Sequence, residues 1–99
     1  MELENEIKLF REYLNFSKGE ELISIKIVSI KKDVDYSIII KNTETFSKIE
    51  YMLYNKFPKY IETENIFLAG GNRINRNRTL EDNKIKNGDI LVVKAIEYD

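Results

Sequence analysis

Leu22-Ile-Ser-Ile-Lys-Ile-Val-Ser-Ile30, followed by Tyr36-Ser-Ile-Ile-Ile-Lys41, is the stretch on which the fold of this chain turns. Ile23, Ile25 and Ile27 alternate with Ser24, Lys26 and Val28. That period of two belongs to a strand with one face toward a core. Tyr36, Ile38 and Ile40 fall on one face of a second strand. The polar Lys31-Lys32-Asp33-Val34-Asp35 between them reads as a hairpin turn. Toward the C-terminus the period changes. Phe46, Ile49, Leu53 and Phe57 are spaced as the buried stripe of a helix, with Thr45 placed to cap its start and Pro58 to end it. Ile66-Phe67-Leu68 is a short strand and Ala69-Gly70-Gly71 a turn. Arg73 to Arg78 is a polar loop, and Thr79-Leu80-Glu81-Asp82 begins a short turn that ends near Ile85. Asn87-Gly88-Asp89 turns again into a last strand, Ile90-Leu-Val-Val-Lys94, with Leu91 and Val93 inward.

The order is ββα, β, a short turn, and β. A hairpin, a crossing helix and returning strands make an α+β sheet with the helix on one face. The helix allows a right-handed crossover, so the first and last strands are expected side by side and parallel in the middle of the sheet.

On the N-terminal side, Leu3, Ile7, Phe10 and Leu14 fall on one helical stripe, with Leu9, Tyr13 and Phe16 beside it, and Gly19 is a plausible stop. The expected organisation is therefore an amphipathic helix and linker over 1–20 and one domain over 21–99. Such a helix has three candidate roles: a lid on the sheet, an element offered to a partner, or a contact for self-association. Burying its four stripe residues is worth roughly 6–12 kcal/mol gross. Ordering the segment costs roughly 1 kcal/mol or more per residue. A docked helix would be close to balance.

Composition narrows the function classes. With 99 residues, 42% hydrophobic and 33% charged, the chain can bury one modest core. There is no Cys and no His, which removes disulfide, thiolate and imidazole chemistry, and neither a metal nor a cofactor is expected. The formal net charge of −1 argues against nucleic acid as a partner. The charge is uneven: residues 1–21 hold six acids and three bases, the rest eleven acids and thirteen bases. No apolar run is long enough to span a membrane, and the acidic start is unlike a signal peptide. A cytoplasmic or nuclear protein is the expectation. No carboxylates form an acid/base pattern, and Gly70-Gly71 lacks the Gly-Lys-Ser/Thr ending of a phosphate loop. Catalysis is not expected.

Asn65-Ile-Phe-Leu-Ala-Gly70, then Arg78-Thr-Leu-Glu-Asp82, Ile85 and Gly88-Asp-Ile-Leu-Val-Val93 are similar to the second half of ubiquitin, and Thr45-Phe46 with Ile49 match the start of that family's helix. The resemblance covers roughly residues 22–96. It implies a ubiquitin-like β-grasp: a mixed sheet in the order ββαβ-turn-β, here with an extra N-terminal helix. The Gly71 to Thr79 run also resembles the corresponding loop of SUMO-type members. Conjugated members end in Gly-Gly, whereas this sequence runs on through Ala95-Ile-Glu-Tyr-Asp99, so a non-conjugated interaction module is expected. A covalent modifier precursor, if the natural chain continues to a Gly-Gly, and an accessory subunit held by its N-terminal helix are the alternatives. The chain-forming lysine of ubiquitin corresponds to Gly71.

Partner-binding residues follow from alternation and resemblance together. The sheet face without the helix is expected to carry Val28, Ile39, Phe67, Ile90 and Val92, an apolar set on a face that ordinarily alternates to polar. Phe67 corresponds to the central isoleucine of ubiquitin's recognition patch, while Lys94 replaces a valine there. SUMO-type members take an extended peptide beside the second strand, where Ile39, Lys41, Lys48, Met52 and Lys56 would line the groove. Arg73, Arg76 and Arg78 form a basic loop that suits acidic groups.

Overall fold

The first hairpin forms as its alternation dictates. In the computed structural model, which describes residues 19–96, β1 spans Leu22–Ser29 and β2 spans Asp35–Lys41. They pair antiparallel, one to one, from Leu22 opposite Lys41 to Val28 opposite Asp35. The expected helix over residues 3–16, with Leu3, Ile7, Phe10 and Leu14, lies outside the described residues.

After the hairpin comes α1, Phe46–Lys56, which buries Phe46, Ile49 and Leu53. Thr45 occupies the N-cap position in extended geometry, but its hydroxyl makes no cap bond. The carbonyls of Arg78 and Arg76 do that work, accepting from the backbone N–H groups of Phe46 and Ser47 at 2.9 and 3.0 Å. The loop thus satisfies donors that every helix start leaves open. Pro58 ends α1 and opens a 3₁₀ turn, Pro58–Glu62, whose Tyr60 is buried. Next come β3 (Glu64–Ala69), β4 (Asn72–Arg73) and β5 (Ile90–Ile96). Gly70 and Gly71 join β3 to β4 with both φ angles positive (56° and 81°), as a two-residue hairpin turn of type I′ requires.

The sheet order is β2-β1-β5-β3-β4. β5 runs parallel to β1 and antiparallel to β3. The two expected central strands are therefore neighbours, and parallel. One face of the sheet packs on α1. Ile23, Ile25, Ile27, Ile38, Ile40, Phe67, Leu91 and Val93 meet Phe46, Ile49 and Leu53 there, and Leu80 and Ile85 close the end.

Phe67 is a correction. It was expected on the helix-free face and lies instead in the core, 1% exposed, with its ring edge-on to Phe46 at 4.9 Å. Its strand partner is Val93, also buried. The physical cause is parity. Ile66-Phe67-Leu68 is apolar on both faces, so hydropathy alone leaves its phase undecided, and a one-residue slip exchanges the faces. The inward set is Asn65 and Phe67, and the outward set is Ile66 and Leu68.

Asn65 holds the lower half together. This 1%-exposed amide donates to the Tyr54 hydroxyl at 2.9 Å and to the Tyr60 carbonyl at 2.7 Å, and it accepts from Thr63 Oγ1 at 2.6 Å. Buried amides need such satisfaction. A polar residue at an inward position also hid the true phase of β3.

Candidate functional site

The helix-free face is built row by row from the strand register. Val28 lies beside Val92, Val92 beside Leu68, and Leu68 beside Arg73. One row along, Lys26 pairs with Ile90. In the other direction Lys94 pairs with Ile66, and Ile96 with Glu64. Val28, Val92, Leu68 and Ile66 are half-buried, while Ile90 and Ile30 are 60% and 62% exposed. Ile30, Ile66, Lys94 and Ile96 also line a groove of about 460 Å³ whose wall includes Tyr60 and Ala95. The result is a largely apolar surface from Ile90 to Ile96 across three strands, with Lys94 inside it and Lys26, Glu64 and Arg73 on its rim. Solvated sheet faces ordinarily alternate to polar residues.

Of the residues anticipated for this face, Val28, Ile39, Ile90, Val92 and Lys94 are on it and Phe67 is not. Leu68 and Ile66 take the place given to Phe67. A signal for them was present: once Phe67 is paired with the inward Val93, its neighbours must point outward.

The anticipated groove beside β2 comes apart. Ile39 pairs with Ser24 and is 69% exposed, on the face opposite to that of the buried Ile38 and Ile40. Lys41 shares Ile39's phase. Neither lies under α1, so they do not form a floor with Met52. On α1, Tyr54 accepts from Asn65 of β3, and Glu50 lies on that same flank. At 100° per residue, Met52 and Lys48 fall on the opposite flank, toward β2. Met52 is half-buried beside the core, and Lys48 bridges Glu44 at 3.3 Å. Tyr36 and Phe57, edge to face at 6.0 Å, fill the space between β2 and the end of α1.

The basic loop is corrected at one position. Arg76 is folded onto the body and only half-exposed, unlike its neighbours. Its Nε is 3.3 Å from Glu50, one of its terminal nitrogens donates to the Asn65 carbonyl, and its guanidinium lies 5.8 Å over the Phe67 ring. Glu50 is largely covered, and a covered carboxylate demands a counter-charge. Arg73 and Arg78 remain exposed.

Three titration shifts mark two structural clusters. The Tyr54 phenol is pushed up to about 12, by burial first and then by donating to Glu50 at 2.6 Å. The Asp33 carboxyl is held well below the usual range. It pairs with Lys59, accepts from Ser29 Oγ at 2.5 Å and accepts from the Tyr60 hydroxyl at 2.9 Å. Burial, followed by the bond to Asp33, raises Tyr60. The Asp33 cluster clips the 3₁₀ turn to the first hairpin, and Asp33, Lys59 and Tyr60 border a small cleft with Thr63 and Ala95. Among the described residues, no three His, Cys, Asp or Glu side chains gather as metal ligands, and no helix is long and apolar enough to cross a membrane.

No protein-family model matches the chain, and no curated protein matches it. Among solved structures, it is similar to a designed protein based on ubiquitin. The superposition has a TM-score of 0.65 at 19% identity and covers 84% of this chain and 96% of that one. At that identity the likeness speaks for architecture. With the sheet order, the parallel central pair and the single crossing helix, it establishes that this chain has a ubiquitin-like β-grasp fold.

Proposed function

We propose that this chain is a ubiquitin-like protein-interaction module that binds a partner on the helix-free face of its sheet and works by recognition, without catalysis. The observation that carries the reading is the contiguous row Val28–Val92–Leu68, extended by Ile90 on one side and Ile66 and Ile30 on the other. An apolar surface of this kind costs solubility unless something covers it. Its rim favours a partner with an apolar anchor and acidic neighbours: Lys94 lies within the patch, and Arg73 stands at the end of the central row. The peptide groove beside β2 is the weaker reading, because Ile39 and Lys41 face away from α1.

The test is a titration of isotope-labelled chain with a partner captured by the intact protein. Shifts are expected at Val28, Leu68, Ile90 and Val92. Leu68→Asp should abolish them while its own spectrum shows an intact fold. Shifts confined to residues 73–78, or to the flank between β2 and α1, would refute the site.

A further inference from the structure

Among the described residues, β2 is the outermost strand on one side of the sheet. The bonds at the two ends of the β1–β2 ladder fix its phase. Asn42 N–H donates to the Glu21 carbonyl at 2.9 Å, and Ser29 N–H donates to the Val34 carbonyl at 3.3 Å. In an antiparallel pair, bonded and non-bonded positions alternate. Tyr36, Ile38 and Ile40 therefore exchange bonds with β1. Asp35, Ser37 and Ile39 turn their backbone N–H and C=O groups outward, off the edge of the sheet. Natural edges are commonly blunted by Pro, by a bulge or by a lysine in mid-strand. β2 has none of these: Asp35-Tyr-Ser-Ile-Ile-Ile-Lys41 is regular throughout, with its charges only at the ends and Ile39 69% exposed between them.

We infer that β2 pairs antiparallel with β2 of a second copy of this chain, about a two-fold axis at Ile38. Three features select this occupant and this register. Full overlap of a strand running from 35 to 41 places residue 38 on the axis. That centre sets odd residues opposite odd ones, so the outward groups meet: Ser37 of each copy exchanges bonds with Ile39 of the other, about four bonds in all. The same register sets Asp35 opposite Lys41 at both ends, which is the charge complementarity an antiparallel self-pair needs. The ends contribute through charge more than through ladder bonds, since the Lys41 carbonyl already accepts Glu44 N–H at 3.1 Å. Asp35 bridges Lys26 at 3.2 Å on the same face and stays open to solvent. Ile39 comes to lie diagonal to its symmetry mate, covering part of its exposed surface. The interface is isologous, and a net charge of −1 per copy opposes it little. This surface is separate from the proposed partner face, and the two can fail independently.

The test is the mass of the intact 99-residue chain in solution, by sedimentation and light scattering across a concentration series. A reversible dimer is expected. Ile39→Pro removes an outward N–H that β1 does not use, so it should leave the fold intact and abolish the dimer. Asp35→Lys and Lys41→Asp, each alone, should weaken association about tenfold by setting like charges opposite one another. The double exchange should restore it, which mere damage to the fold could not do. A monomer at about 1 mM chain would overturn the inference. So would a dimer indifferent to Ile39→Pro, a dimer lost in Leu68→Asp, or an edge that takes an acidic extended peptide but never a second copy.

Discussion

Replacing Phe67 by Ala, with Leu68→Ala as its companion, tests the phase of β3 and with it the identity of the binding face. Phe67 is 1% exposed and packs edge-on against Phe46 at 4.9 Å. Truncating a buried phenylalanine costs roughly 3–5 kcal/mol in lost transfer energy and cavity formation. Loss of the aromatic pair accounts for about 0.5–1.5 kcal/mol of such a total. A domain of this size has a stability of about 4–12 kcal/mol, so the variant should be marginal. At about 4–8 °C per kcal/mol, its melting temperature should fall by at least ~12 °C. Leu68 is only half-buried on the other face, and truncating it should cost about 1 kcal/mol. Urea denaturation followed by circular dichroism reads both. If Phe67→Ala were the milder change, or the two costs were equal, the register pairing Phe67 with Val93 would be wrong, and the face built from it with it.

Other outcomes follow from the covered polar clusters. Arg76→Ala should cost about 2–3 kcal/mol, because Glu50 loses its counter-charge, whereas Arg73→Ala and Arg78→Ala should stay within about 0.5 kcal/mol in the same denaturation assay. Asn65→Leu should destabilise by about 1–3 kcal/mol, since the Tyr54 hydroxyl and the Tyr60 carbonyl lose a donor, and hydrogen exchange should rise first around the 3₁₀ turn. Asp33 supplies a pH dependence. Its folded carboxyl binds a proton more weakly than the unfolded one does, so its contribution is fully present above the unfolded value of about 4 and fades as the pH falls toward the depressed folded value. Asp33→Asn should therefore narrow the stability gap between neutral and acidic solution. An unchanged gap would show that the Lys59–Ser29–Tyr60 cluster does not hold that charge.

The hairpin and the helix were legible because each rests on a clear period, and the parallel central pair because the crossing helix implies a right-handed crossover. Ile23, Ile25 and Ile27 alternate cleanly against polar residues, and Phe46, Ile49 and Leu53 keep a helical spacing up to a proline. The phase of β3 was not legible. Its apolar run offers no contrast between faces, and the buried Asn65 reads as a solvent residue until Tyr54, Tyr60 and Thr63 are placed around it. The fate of Arg76 was hidden for a similar reason: its partners, Glu50 and the Asn65 carbonyl, lie eleven or more positions away, and only the fold brings them within reach. Val28, Ile90, Val92 and Lys94 of the binding face followed from the sequence, while Leu68 and Ile66 waited on register.

The two-residue length of β4 has a consequence for assembly. Among the described residues the sheet ends on that flank in a stub, Asn72–Arg73, too brief to template another chain, which leaves β2 as the edge suited to pairing. Growth by edge pairing has nowhere to go after a single step. On the proposed pairing, a second copy joined at β2 would close a two-fold particle and leave no regular edge for the endless stacking that makes a fibre.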